Sequence, residues 1–308
     1  MATAATSTAG DTVTVDLGGR DVSVPAGGLY DRYRMDTDLE VVATDPRVSS
    51  VDFFRALPKV RVESLIGSTL TPNFYYRMSS ARLTFLARSR AIRSRLPREL
   101  APLEVAPGIG LVSVMAFRYD VCDIDFYTEA AVGIAVRPAR HGGLGAIDTI
   151  AALKNEHLHS YVLSLPVNTE IAQVRGHDGY GFPKWVTELD VDIDDHQVTA
   201  RIANTAGETD LALTVPTPRQ AAHPSGEHVT SLTSYTTIRD AWHSTFSQVN
   251  VLAGGTTRLP RGIDLSLGSG RMSDDLRSLK PIRAVQLDVV TEGQLALHMP
   301  VPTSIANG

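Results

Sequence analysis

The chain predicts a β-rich α+β fold, an antiparallel sheet or barrel with few helices. Three observations carry the prediction. Short apolar or alternating runs dominate residues 111–301, turn residues punctuate them, and nothing alternates strand with helix in the βαβ manner. At 308 residues the chain can bury a sizeable core in one large domain or two modest ones.

Residues 1–10 are small and polar and read as a frayed tail. TVTVDLGGRDVSV (12–24) reads as a hairpin about a Gly-Gly turn, and SSVDFFRAL (49–57) as a short helix with a serine near its N-cap. ARLTFLARSRAIRSRLP (81–97) starts as a strand and becomes an Arg-rich turn of helix stopped by Pro97. Strand candidates follow at 111–120, 130–138, 160–167, 185–193 and 197–204. Others lie at 209–216, 228–238, 282–291 and 294–301, while TEIAQVRG (169–176) reads as a single helix. Residues 1–70 are expected to form an N-terminal extension packed on a main domain of residues 71–308.

Composition narrows the function. With 43% apolar and 20% charged residues and a mean hydropathy of −0.03, the chain reads as an ordinary globular protein. The net charge of −5 argues against a nucleic-acid binder. No run of about 18 apolar residues suggests a membrane span, and the N-terminus has neither a basic nor an apolar leader region. A cytoplasmic protein is the expectation. The lone Cys122 has no partner for an internal disulfide and reads as a buried structural thiol. Of 29 basic residues only Lys59, Lys154, Lys184 and Lys280 are lysines, so each draws notice, although codon bias gives the same pattern.

Several motifs read as plain structure. The glycines of HGGLGA (141–146) and of residues 267–271 lack the strand–GxGxxG–helix setting and read as turns. His157 and His159 would share a strand face beside Glu156, as a metal pair or as strand-edge histidines. No third ligand presents itself, so the second reading is preferred and no metal is expected.

The most informative stretch is Arg175-Gly-His-Asp-Gly-Tyr-Gly-Phe-Pro-Lys184-Trp185-Val186. A lysine among Tyr180, Phe182 and Trp185 loses solvation of its ammonium form, so free amine becomes accessible and can attack a ketone. The alternative is a strand-edge lysine with its ammonium in water.

Gly176-His177-Asp178-Gly179-Tyr180-Gly181-Phe182-Pro183-Lys184 resembles, without a gap, the Gly-Arg-Glu-x-aromatic-Gly-Tyr/Phe-Pro-Lys signature of the acetoacetate decarboxylase family. Phe126-Tyr127-Thr128-Glu129 resembles the segment carrying that family's active-site glutamate. Gly255-Thr256-Thr257-Arg258-Leu259 and the residues up to Met299-Pro300 resemble its C-terminal pattern. The likeness spans about residues 74–303.

It implies an antiparallel β-barrel or cone with flanking helices and a homo-oligomer. It implies a Schiff base on Lys184, Glu129 as acid and base, and a small carbonyl substrate without a dissociable cofactor. Arg77 or Arg82 would hold a substrate carboxylate. Tyr180, Phe182, Trp185, His177 and Asp178 would surround the substrate.

The sequence departs from the family where Trp185 replaces a second lysine and His177-Asp178 replaces Arg-Glu. Ser113 or Val114 falls where an acid is expected on the preceding strand. Trp185 carries no charge, so burial, with Arg175 as a lesser contributor, would have to tune the amine. A decarboxylase-like lyase acting on a small keto acid is expected. The alternatives are a Schiff-base aldolase, dehydratase or cyclase that keeps the carboxylate, and a non-catalytic small-molecule binder on the same fold.

Overall fold

The computed structural model describes residues 11–139 and 157–305. A closed barrel of seven strands organises them. Around it run His157–Val167, Val229–Ile238, Ala241–Arg258, Pro281–Leu297, Asn73–Arg88, Ile109–Cys122 and Tyr127–Pro138, and the last pairs back to the first. Every neighbouring pair is antiparallel except His157–Val167 with Val229–Ile238.

Alternation assigns the two faces of each strand. Ala81, Leu83 and Phe85 point out of the barrel with Val112, Val114, Val132 and Ile134. They bury themselves against a second, four-stranded sheet made of Leu189–Ile193, Gln197–Ala203, Thr209–Pro216 and Asp264–Leu267. The helix Arg271–Leu279 adds Met272, Leu276 and Leu279 to this main core.

The N-terminal segment completes another side. Its hairpin, Thr12–Asp16 with Asp21–Pro25, contributes Val22 and Val24 to a cluster with Tyr75, Met78, Ile171 and Val174. Asp123, fully buried, ties this segment down. It accepts hydrogen bonds from Thr37 Oγ1, Tyr76 OH and the Phe74 amide, and pairs with Lys59 Nζ at 2.7 Å. Burial lowers the Lys59 pKa. No helix among the described residues is long and apolar enough to cross a membrane.

Three expected strands need correction. The run 185–193 is two strands. Lys184–Val186 pairs in parallel with Leu165–Val167 on the barrel, and Leu189–Ile193 leaves for the outer sheet. The runs 282–291 and 294–301 are largely one strand, Pro281–Leu297. What reads as a turn at Thr291-Glu292-Gly293 is an irregularity within it, and a separate short strand follows at Val301–Pro302.

Ala241–Arg258, the longest strand, escapes the sequence reading because Gly254-Gly255 and scattered polar residues mask its pattern. Pairing on both edges overrides that weak propensity. The short helix Asp52–Arg55 starts from Val51, with the Ser50 hydroxyl accepting from the Asp52 amide.

The glycines before Arg271 do form a turn. A Cβ on Gly268 would lie 1.8 Å from the Thr209 carbonyl oxygen, and the first amides of the following helix are taken by the Asp210 carboxylate. The tail 1–10, the glycines of 141–146, Lys154, Glu156 and the side chain of His157 lie outside the described residues.

Candidate active site

Glu129 and Lys184 come from opposite flanks of one strand. Within His157–Val167, Val167 stands opposite Glu129 and Leu165 opposite Lys184. Both side chains therefore enter the barrel interior at one level, 7% and 9% exposed for Lys184 and Glu129, and Lys184 Nζ lies 2.5 Å from Glu129 Oε2.

The motif before Lys184 provides the room. The helix Glu170–Val174 continues into a wider π-type turn, Arg175–Gly179, which presents Gly176 to the lysine. A Cβ on Gly176 would fall 2.2 Å from Lys184 Cδ and 2.4 Å from Cε, so only glycine leaves space for the lysine chain. The Gly176 carbonyl accepts from the Phe182 amide, and the Tyr180 carbonyl from Thr236 Oγ1, which pins the loop to the barrel rim.

Three tyrosines surround the pair. Tyr119 OH approaches Glu129 Oε1 at 3.4 Å, Tyr75 and Tyr127 share a hydrogen bond at 3.0 Å, and the Lys184 ammonium lies 5.5 Å from the Tyr127 ring centre. Burial pushes all three phenols well above their usual pKa, so they remain protonated donors.

The cavity holding these groups has a volume of about 180 Å³ and mostly apolar walls, among them Met115, Phe117, Leu165 and Leu295. Its lining includes Asn73, whose two amide atoms are buried and lack a hydrogen-bond partner, and the buried guanidinium of Arg175, which interacts with the Tyr180 hydroxyl. Arg175 Nη1 is held by Thr69 Oγ1 at 3.2 Å. A buried guanidinium facing a cavity suits an anion such as a carboxylate.

The expected site residues divide cleanly. Lys184, Glu129, Tyr180 and Phe182 line this cavity. Arg77 does not, because the strand is irregular between Tyr75 and Met78. That turns Arg77 outward to pair with Glu292 at 3.0 Å. Arg82 lies beyond the cavity lining, paired with Asp288 at 2.9 Å.

Trp185 follows Lys184 on a strand, so it faces away, and it lies under the Arg271 guanidinium, 4.6 Å from its ring centre. His177 and Asp178 bond each other at 2.7 Å, and Asp178 pairs with Arg20. They line a separate surface cleft with Leu65 and Arg239.

On the strand before Glu129, the side chains that reach the cavity are Met115, Phe117 and Tyr119. Ser113 bonds Thr84 instead, and Val114 packs outward.

Sequence reasoning named Arg175 only as a cation near the lysine, and missed Asn73, Tyr75, Tyr119 and Tyr127 as site residues. Signals existed for two of them. Arg175 falls three residues after Ala172, another cavity residue, on one helical face, and Tyr127 shares the strand face of Glu129.

Cys122 is buried, donates its Sγ hydrogen to the Asp125 carbonyl at 2.8 Å, and has its pKa raised by burial, as a structural thiol should. His159 Nδ1 bonds Tyr235 OH at 2.9 Å. Among the described residues no cluster of three or more His, Cys, Asp or Glu side chains could hold a metal ion.

Comparison with known proteins agrees with this architecture. No curated protein matches the chain by sequence. An acetoacetate decarboxylase from Legionella pneumophila is 13% identical, with a TM-score of 0.54 over 76% of this chain and 87% of its own. A second acetoacetate decarboxylase structure is also 13% identical, with a TM-score of 0.55 over 75% and 89%. The enduracididine biosynthesis enzyme MppR, complexed with pyruvate, is 15% identical, with a TM-score of 0.51 over 76% and 91%. At such identities the likeness is one of fold. The acetoacetate decarboxylase (ADC) family model matches residues 67–298, most of the chain and all of the barrel strands. The chain belongs to the acetoacetate decarboxylase family.

Proposed function

We propose that this protein is a carbon–carbon lyase that binds a small keto acid or related carbonyl compound as a Schiff base on Lys184, with Glu129 as acid and base. The observation that carries the proposal is the 2.5 Å contact between Lys184 Nζ and Glu129 Oε2 inside a mostly apolar cavity.

Proton transfer along that contact leaves the amine with a lone pair and Glu129 as an acid. The amine nitrogen adds to the substrate carbonyl carbon and passes a proton to the new alkoxide. Glu129 then protonates that hydroxyl, water leaves, and a protonated imine remains.

The imine accepts the electron pair of the bond that breaks next. In a decarboxylation this is the bond to CO₂. In an aldol or dehydration route it is the bond to a proton on the neighbouring carbon. Glu129 is the group placed to give a proton to that carbon or take one from it.

Arg175 favours the second route. Its guanidinium, with Asn73 and Tyr180, lines the cavity and offers donors to a substrate carboxylate. An ion-paired carboxylate is stabilised as the anion and leaves as CO₂ less readily, so the anchor suits chemistry that keeps it. A fold relative, MppR, is known with the condensation product of pyruvate and imidazole 4-carboxaldehyde bound. Condensation is therefore the reaction to set against decarboxylation.

Borohydride reduction in the presence of pyruvate or acetoacetate tests the proposal. Peptide mapping should place an irreversible mass increase on Lys184. Labelling of Lys59, Lys154 or Lys280 instead, or no adduct across a range of keto acids, would overturn it in favour of a binding protein. Parallel assays for CO₂ and for aldol products decide between the two routes.

A further inference from the structure

The cavity continues beyond Lys184. On the strand His157–Val167, Leu165 is paired with Lys184, and Leu165, Val162 and Ser160 all line the cavity. An irregularity between Val162 and Ser164 keeps Leu165 and Val162 on the inner face, while Ser164 turns outward to bond Asp275. At about 3.3 Å per residue and a strand tilt near 40°, Ser160 lies roughly 10 Å further along the barrel axis than the lysine level.

The far end is polar but carries no charge. Ser160 and Ser234 are paired in register and their hydroxyls lie 2.8 Å apart. Ser247, whose hydroxyl reaches the Leu232 carbonyl only at 3.3 Å, and Ser80 line the same end. Ser160, Ser234 and Ser247 are each more than nine-tenths buried. In the Ser160–Ser234 pair one O–H bonds the other hydroxyl, which leaves the second O–H and several lone pairs for a ligand.

Met78, Met115, Phe117 and Val249 make the middle apolar and, through the methionines, adaptable. The charged side chains lining the cavity, Glu129, Arg175 and Lys184, lie outside this serine group. Arg82, two residues past Ser80, is neutralised by Asp288 and does not line the cavity.

We infer that the substrate is longer than pyruvate or acetoacetate: a carbonyl compound with its carbonyl at Lys184, an apolar body, and a neutral hydrogen-bonding group at the Ser160–Ser234 end. A hydroxyl, amide or second carbonyl fits that end. A carboxylate or ammonium would be buried there without a countercharge. The inference rests on the Schiff-base reading of Lys184 and extends it to substrate class.

Borohydride trapping with the full chain tests it, using pyruvate, longer unsubstituted 2-keto acids, and equally long acids ending in a hydroxyl or a carboxylate. Trapping efficiency at Lys184 should rise with length, rise by a further 3–10-fold or about that with the terminal hydroxyl, and fall with the terminal carboxylate. Ser234→Ala and Ser160→Ala should each shrink the hydroxyl-to-plain ratio by about the same factor. The length series on the unchanged protein stands even if a variant folds poorly.

Equal trapping at all lengths, a preference for the terminal carboxylate, or an unchanged ratio in both serine variants would overturn the inference while leaving the Schiff base intact. Failure of every compound, pyruvate included, to label Lys184 removes the Schiff-base proposal and this inference with it.

Discussion

The aliphatic chain of Lys184 occupies the space that a side chain on Gly176 would fill, with Cδ 2.2 Å from where a Cβ would stand. Two residues of one signature motif are thus complementary in shape, one by what it lacks. Gly176→Ala should displace the amine from Glu129 and reduce imine trapping at least about 10-fold. Overpacking should cost roughly 1–3 kcal/mol of stability. Trapping kinetics beside a thermal melt check this, and normal trapping would show that the lysine has another way round.

Glu129→Gln keeps the shape and removes the titratable proton. Turnover should fall about 10²–10⁴-fold, as expected for a lost acid and base, while borohydride trapping survives at a slower rate. Near-normal turnover would assign the proton transfers to another group.

Arg175→Met tests the carboxylate anchor. For keto acids kcat/KM should drop about 10–100-fold, the range for a hydrogen bond to a charged group, and far less for the corresponding ketones. Equal losses for acids and ketones would exclude the anchor role.

Asp123 is a buried polar tie between the N-terminal segment and the barrel. Asp123→Ala strands the Lys59 ammonium, and should cost about 3–5 kcal/mol in denaturant unfolding. A cost near zero would mean that the segment is held by its apolar contacts and its other hydrogen bonds, such as those of the Leu29 and Tyr30 amides to Asp125.

Alkaline pH should unfold the protein through its tyrosines. Burial holds the hydroxyls of Tyr75, Tyr119 and Tyr127 far above the ordinary phenol range and raises Tyr180 as well. Below about pH 10 folded and unfolded chains both keep these protons, so nothing changes. Above it the unfolded chain releases protons that the folded chain retains, so stability falls as pH rises. Most phenolate absorbance should therefore appear together with loss of near-ultraviolet circular dichroism. Gradual ionisation with the dichroism intact would contradict the burial.

Most of the barrel strands were legible from local pattern, whereas Lys184 and Glu129 were singled out by the family resemblance. Alternation marks strands, and the Gly-Phe-Pro-Lys stretch marks the lysine. Arg77, Arg82 and Trp185 show what local pattern leaves out. A single irregularity in a strand, invisible in composition, turns Arg77 outward, and the short parallel strand at Lys184 sends Trp185 to the opposite face. Asn73, on a barrel strand, and Arg175, in the turn before Lys184, come to one cavity only through the tertiary fold, a property no single segment carries.

The strand His157–Val167 works as a ruler, since it bears neither Lys184 nor Glu129 yet sets the level of both. The two groups therefore meet only once this strand has docked on each side. A chain in which this strand has not docked lacks the paired amine and carboxylate. A slip of a single residue along the ruler would turn the lysine to the other face and part it from Glu129.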